Sequence, residues 1–282
     1  MRWQGRRQSS NVEDRRGMSP KGMIGGGVGT LVILVVAYFL GINPDQLNNI
    51  IPTETDQTNT STYEGTAEEN QLKEFSSVVL GDTEDVWNQL FRQMGSSYKP
   101  AKLVIFSNQV ESGCGVASAG SGPFYCPADE RVYIDLSFCD ELKNRFQAPG
   151  DFALAYVIAH EVGHHVQNLL GTSDKVSALR GRLSEREYNK YSVRLELQAD
   201  FYAGVWAHHA QRLNNILEEG DIEEALNAAS AVGDDRIQKQ MQGHVVPDAF
   251  THGTSQQRMT WFKKGFTTGD IEQGDTFADI DF

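Results

Sequence analysis

The sequence predicts an α+β fold: a mainly helical domain with a small β-sheet, preceded by a single transmembrane helix. Three observations lead there. Segments with a helical hydrophobic period outnumber strand-like ones, and the two clear strand-like runs come before the main helices. Residues 22–42 (GMIGGGVGTLVILVVAYFLGI) contain no charged side chain. Apolar residues make up 39% of the 282, enough for one sizeable core beside such appendages, which excludes wholesale disorder.

The chain opens with a basic tail, residues 1–21, in which Arg2, Arg6, Arg7, Arg15, Arg16 and Lys21 face only Glu13 and Asp14. As a helix, the apolar run that follows would reach about 31 Å, one hydrocarbon thickness. Basic flanks stay on the cytoplasmic side. The expected topology is therefore a single-pass cell-membrane protein, with residues 22–42 in the lipid bilayer and everything after them outside the cytoplasm. Residues 43–75 read as a polar linker. Thr53–Thr62 has no apolar residue, and Asn59-Thr60-Ser61 is a formal glycosylation acceptor.

Residues 76–282 form the predicted domain. Asp82–Met94 has a helical period, with Val86, Leu90 and Met94 in step and Gly95 as a stop. Lys102–Phe106 (KLVIF) reads as a short strand. The glycine- and serine-rich segment after it holds Cys114 and Cys126. Arg131–Phe138 (RVYIDLSF) alternates and reads as a second strand, either an edge on which an extended peptide lies or an internal strand without a ligand. Phe152–Leu170 is a strongly apolar helix ended by Gly171, and Ser184–Leu213 a long helix capped by Ser184. Asp221–Ala231 and Thr254–Lys264 are further helices. Outside the cytoplasm Cys114 and Cys126 would pair, and the small loop they close would contribute about 3 kcal/mol. Cys139 is left over and reads as a small buried residue. The net charge is −13, and with +4 in the tail the rest of the chain carries −17, which argues against a nucleic-acid partner. Three cysteines exclude a disulfide-dense scaffold or a cysteine-rich metal module.

The chemistry concentrates at His160-Glu161-Val162-Gly163-His164. At 100° per residue, His160 and His164 lie one turn apart on one helical face, so both imidazoles can reach one ion. Glu161 lies beside that ion rather than on it, where its carboxylate can meet a metal-bound water. Gly163 sits on the opposite flank, where a missing side chain lets another element pack closely. A catalytic zinc takes three protein ligands and keeps an open position. The third is expected from Glu196-Leu197-Gln198-Ala199-Asp200, where Glu196 and Asp200 share a face in an apolar stretch. Glu196 is read as the ligand, and Asp200 as an acceptor for a ligand imidazole N–H. His208 and His209 are the alternative third ligands. The cofactor is then one Zn2+ per chain.

These residues resemble the neutral zinc metallopeptidase family, membrane-anchored bacterial proteins of the zincin type. The resemblance runs through Arg2–Gly17, Gly122–Phe138 (GPFYCPADERVYIDLSF), Val157–Gln167 (VIAHEVGHHVQ), Glu196–Trp206 (ELQADFYAGVW) and Thr251–Arg258 (THGTSQQR). It implies a zincin-like domain that cleaves a peptide or protein substrate, and its E-x-x-A-D segment is similar to the third-ligand helix of gluzincins. Glu161 would take the proton of a zinc-activated water and pass it to the leaving amine. His252 is a candidate for stabilising the transition state; Tyr202 and His165 are others. The alternative is a membrane-tethered, zinc-containing binding or scaffold protein. It would have a closed site, with a fourth ligand such as Asp200.

Overall fold

The basic N-terminal segment does not stand apart from the domain. The structure is a computed structural model that describes residues 1–18 and 63–280. In it Val12–Asp14 forms strand β1, paired in parallel with Lys102–Phe106 (β2). Arg6 and Arg7 reach Asp82 and Glu84, at 2.5 and 3.0 Å. Trp3 packs edge-on against Phe75, and the Arg2 amide donates to the Ile216 carbonyl at 2.8 Å.

This packing corrects the expected topology. A chain that crosses a bilayer once puts residues 1–18 and the domain on opposite sides. Here the two share one sheet and one core. Among the described residues no helix is long and apolar enough to cross a membrane. The span expected at 22–42 and the acceptor at Asn59 lie outside the described residues. Of the basic side chains that suggested a cytoplasmic flank, Arg6 and Arg7 are ion-pair partners of the acidic domain, and Arg15 and Arg16 pair with Glu13 and Asp14 beside them.

The described fold is mainly helical α+β with two small sheets. Helix α1 spans Ala67–Gln93 and so begins before Asp82, where the hydrophobic period becomes clear. Its start is set by a capping box: Thr66 Oγ1 accepts from the Glu69 amide, and the Glu69 carboxylate accepts from the Thr66 amide. The hairpin Gln109–Ser112 (β3) and Gly115–Ser118 (β4) follows β2. Next come Phe124–Cys126 (β5) and Arg131–Asp135 (β6). The sheet order is β1-β2-β6-β5, parallel except for β5 on β6. Strand β6 is therefore interior, which resolves the two readings of Arg131–Phe138; β5 is the edge. Cys114 and Cys126 form a disulfide that ties the hairpin to that edge.

After Phe138–Asn144 (α2) the chain enters Asp151–Leu169 (α3). Thr172–Ser177 (α4) is one short turn pair, and Glu185–Asn214 (α5) is capped by Ser184 and Glu187 as its sequence predicts. Asp221–Ala231 (α6), Asp234–Gln242 (α7) and Ser255–Thr268 (α8) complete the domain. Helix α3 is apolar around its whole first half because α1, α5, α6 and the sheet surround it. Helices α5 and α8 cross where glycine faces backbone. A Cβ at Gly204 would fall 2.1 Å from the Phe262 carbonyl oxygen, and one at Gly265 2.1 Å from that of Phe201. Only the missing side chains permit this approach.

Candidate metal centre

Helix α5 lies across α3 with its Ala199 backbone against Gly163, where a Cβ would sit 3.0 Å from the Ala199 carbonyl oxygen. That approach brings Glu196 over the paired histidines. The His160 and His164 rings stand 4.8 Å apart and nearly perpendicular. His160 Nε2 is 3.2 Å from one Glu196 carboxylate oxygen and His164 Nε2 is 3.4 Å from the other. Each of the three residues offers a donor atom within 4.8 Å of the others.

The second ring nitrogens are engaged by acceptors. His160 Nδ1 lies 2.9 Å from Asp200 Oδ1, and His164 Nδ1 2.8 Å from Gln167 Oε1. The Gln167 amide nitrogen donates to the Leu195 carbonyl and to Gln198 Oε1, which fixes its oxygen toward His164. The acceptors keep each Nδ1 protonated and turn Nε2 of both rings to the Glu196 carboxylate. Burial disfavours a charged His160, but Asp200 and Glu196 outweigh it and hold its pKa up at about 9. Burial likewise opposes ionisation of Glu196. The two histidines beside it win and keep its carboxyl well below the usual range. Two imidazole nitrogens and a carboxylate converging on one point, with both rings oriented from behind, are a donor set that suits Zn2+.

Asp200 does more than orient one ring. It is fully buried, and its oxygens accept from Tyr156 Oη at 2.5 Å, from Arg258 Nε at 2.8 Å and from Arg258 Nη2 at 3.0 Å, besides His160. Burial resists the charge, but Arg258 and His160 pull the Asp200 carboxyl below its ordinary value. A carboxylate so occupied, behind the Nδ1 side of His160, does not meet the other donors as a fourth ligand. Sequence reasoning missed Arg258 and Tyr156 as members of the site. Nothing in local spacing links Arg258 to Asp200; the crossing of α8 on α5 does. Gln167 had a readable signal, since it lies three residues beyond His164 on the same helix face.

The donor set opens onto a cavity of about 550 Å³. Glu161 lines it, and no protein donor holds the Glu161 carboxylate among the described residues. His252 lines it too. Its Nδ1 lies 3.2 Å from Asp234 Oδ1, and its backbone amide donates to Asp234 Oδ2 at 2.6 Å. The hydrogen bond to Asp234 raises the His252 pKa above its ordinary value. Phe124 and Tyr125 of β5, with Phe138 and Phe146, form an aromatic part of the wall. The remaining candidates lie elsewhere. His165 bonds Tyr125 Oη and the Lys99 carbonyl, and burial lowers its pKa. Tyr202 packs on Trp87. His208 and His209 bond carbonyls at the end of α8.

Residues 1–277 match the model of a family described as "Putative neutral zinc metallopeptidase". The chain is 51% identical over 285 residues to the protein YpfJ of Escherichia coli strain K12, covering 99% of each. It is 42% identical over 226 residues to the protein Rv2575 of Mycobacterium tuberculosis strain H37Rv, covering 76% of this chain and 74% of that one. No solved structure matches it.

Proposed function

The chain belongs to the neutral zinc metallopeptidase family, and from that membership we propose that it hydrolyses peptide bonds in the cavity above α3. The observation that carries the reading is the convergence of His160 Nε2, His164 Nε2 and the Glu196 carboxylate beside an uncommitted Glu161. One zinc ion held by these three would supply a Lewis acid for the scissile carbonyl and a bound water with a pKa near ~7.

The chain's own groups do the rest. Glu161 accepts the proton of the attacking water and returns it to the leaving nitrogen. Asp200 and Gln167 keep the two imidazoles in the tautomer that presents Nε2. His252, steadied by Asp234, donates to the oxygen that becomes negative as the carbonyl is attacked. The substrate backbone adds to the free edge of β5, whose Phe124 and Tyr125 already face the cavity.

The test is zinc content and peptide cleavage by the purified protein and by Glu161→Gln. The variant should keep its metal and lose hydrolysis. A wild-type protein that binds zinc and cleaves no peptide, or a Glu161→Gln variant that cleaves normally, would overturn the reading.

A further inference from the structure

The cavity wall contributed by the α4–α5 connection differs from the aromatic wall. Arg180, in that connection, lines the cavity. Its guanidinium lies over the Tyr188 ring, 5.3 Å from the centroid, and its Nε donates to Tyr188 Oη at 3.4 Å. Tyr188 belongs to the first turns of α5, so a rigid element aims the cation. No carboxylate pairs with Arg180 among the described residues. Arg258, the other arginine of the cavity, is neutralised by Asp200. In the surrounding stretch Arg186 and Arg194 pair with Asp248 and Asp279, so Arg180 stands out as a cavity arginine without a carboxylate. A cation so placed in a chain whose net charge is −13 is a local attractor for anions. An oriented guanidinium without a counterion meets a carboxylate through two parallel hydrogen bonds.

We infer that Arg180 receives a carboxylate of the bound peptide and so selects anionic substrates for the cavity. The inference deepens the peptidase reading and depends on it for the nature of the ligand. The carboxylate has two sources: an aspartate or glutamate side chain near the scissile bond, or the free C-terminus of a short peptide. The aromatic wall of Phe124, Phe138 and Phe146 takes an apolar residue of the same peptide. Tyr188 is a positioning residue, acting through the arginine it stacks on.

The experiment measures binding as well as turnover. Zinc-loaded full-length Glu161→Gln is titrated with short fluorescent peptides of mixed aromatic sequence in matched sets. One arm changes aspartate or glutamate to asparagine or glutamine; the other changes a free C-terminus to an amide. In one arm the anionic member should bind about tenfold tighter, equivalent to about 1.4 kcal/mol. The arm that responds names the source. Adding Arg180→Gln should bring that ratio to near one, Arg180→Lys should keep part of it, and Tyr188→Leu should reduce it. Equal binding of all members, no binding by any, or a ratio that survives Arg180→Gln overturns the inference. Cleavage by the wild-type protein is read on the same peptides. Cleavage without anionic preference removes this inference and leaves the peptidase reading. Arg180-dependent binding without any cleavage does the reverse.

Discussion

Asp200→Asn separates a carboxylate that merely tunes a ligand from one that holds a buried cation in place. Asp200 accepts four hydrogen bonds, one from His160, one from Tyr156 and two from Arg258. Asparagine keeps the shape but offers one oxygen and turns an NH2 group toward donors, so either the one bond at Oδ2 or the three at Oδ1 lose their acceptor. It also leaves the Arg258 guanidinium, only 3% exposed, without its countercharge. Removing one partner of a buried pair costs about 3–5 kcal/mol, a large part of the roughly 5–15 kcal/mol that holds a domain together. Loss of the His160 acceptor should further weaken zinc binding by about 10–100-fold. The assay is urea unfolding of the zinc-free protein, with zinc affinity by chelator competition, for Asp200→Asn, Arg258→Met and the double variant. The double variant should lose clearly less stability than the two single losses added, because it buries no unpaired charge. A zinc-free Asp200→Asn protein within about 0.5 kcal/mol of wild type would refute the buried-pair argument. So would strictly additive losses.

Other expectations follow from the same geometry. His164→Ala should lose bound zinc from the purified protein, since two of three donors cannot close the site; metal analysis after dialysis reads this directly. Glu161→Gln should retain the metal while turnover falls by about 10²–10⁴-fold, the usual worth of a general base. His252 has a pKa raised through its bond to Asp234, so its cationic form persists above the ordinary histidine range. The stability from that contact is fully present below about pH 6.5 and is lost as pH rises through the raised value. Activity should therefore show an alkaline limb that His252→Gln abolishes while lowering kcat more than it raises KM. Reduction of the Cys114–Cys126 disulfide, which links residues 12 apart, should cost about 3 kcal/mol, seen as a lower urea midpoint with reductant.

Local chemistry determined much of this protein. The i,i+4 spacing of His160 and His164 and the offset of Glu161 follow from helical period alone. So do the shared face of Glu196 and Asp200, the Ser184 cap and the glycine left bare at 163, because each is a relation within one or two turns. The tertiary structure decided what depends on pieces distant in the chain. Hydropathy registers the composition of residues 22–42, yet it cannot register that residues 12–14 extend a sheet begun at Lys102 and share the domain's core. Alternation in Arg131–Phe138 is the same for an edge and an interior strand; only β5 lying beside it makes it interior. Arg258 meets Asp200 across 58 residues, because α5 and α8 cross at Gly204 and Gly265, close enough to join buried charges that no sequence window contains together.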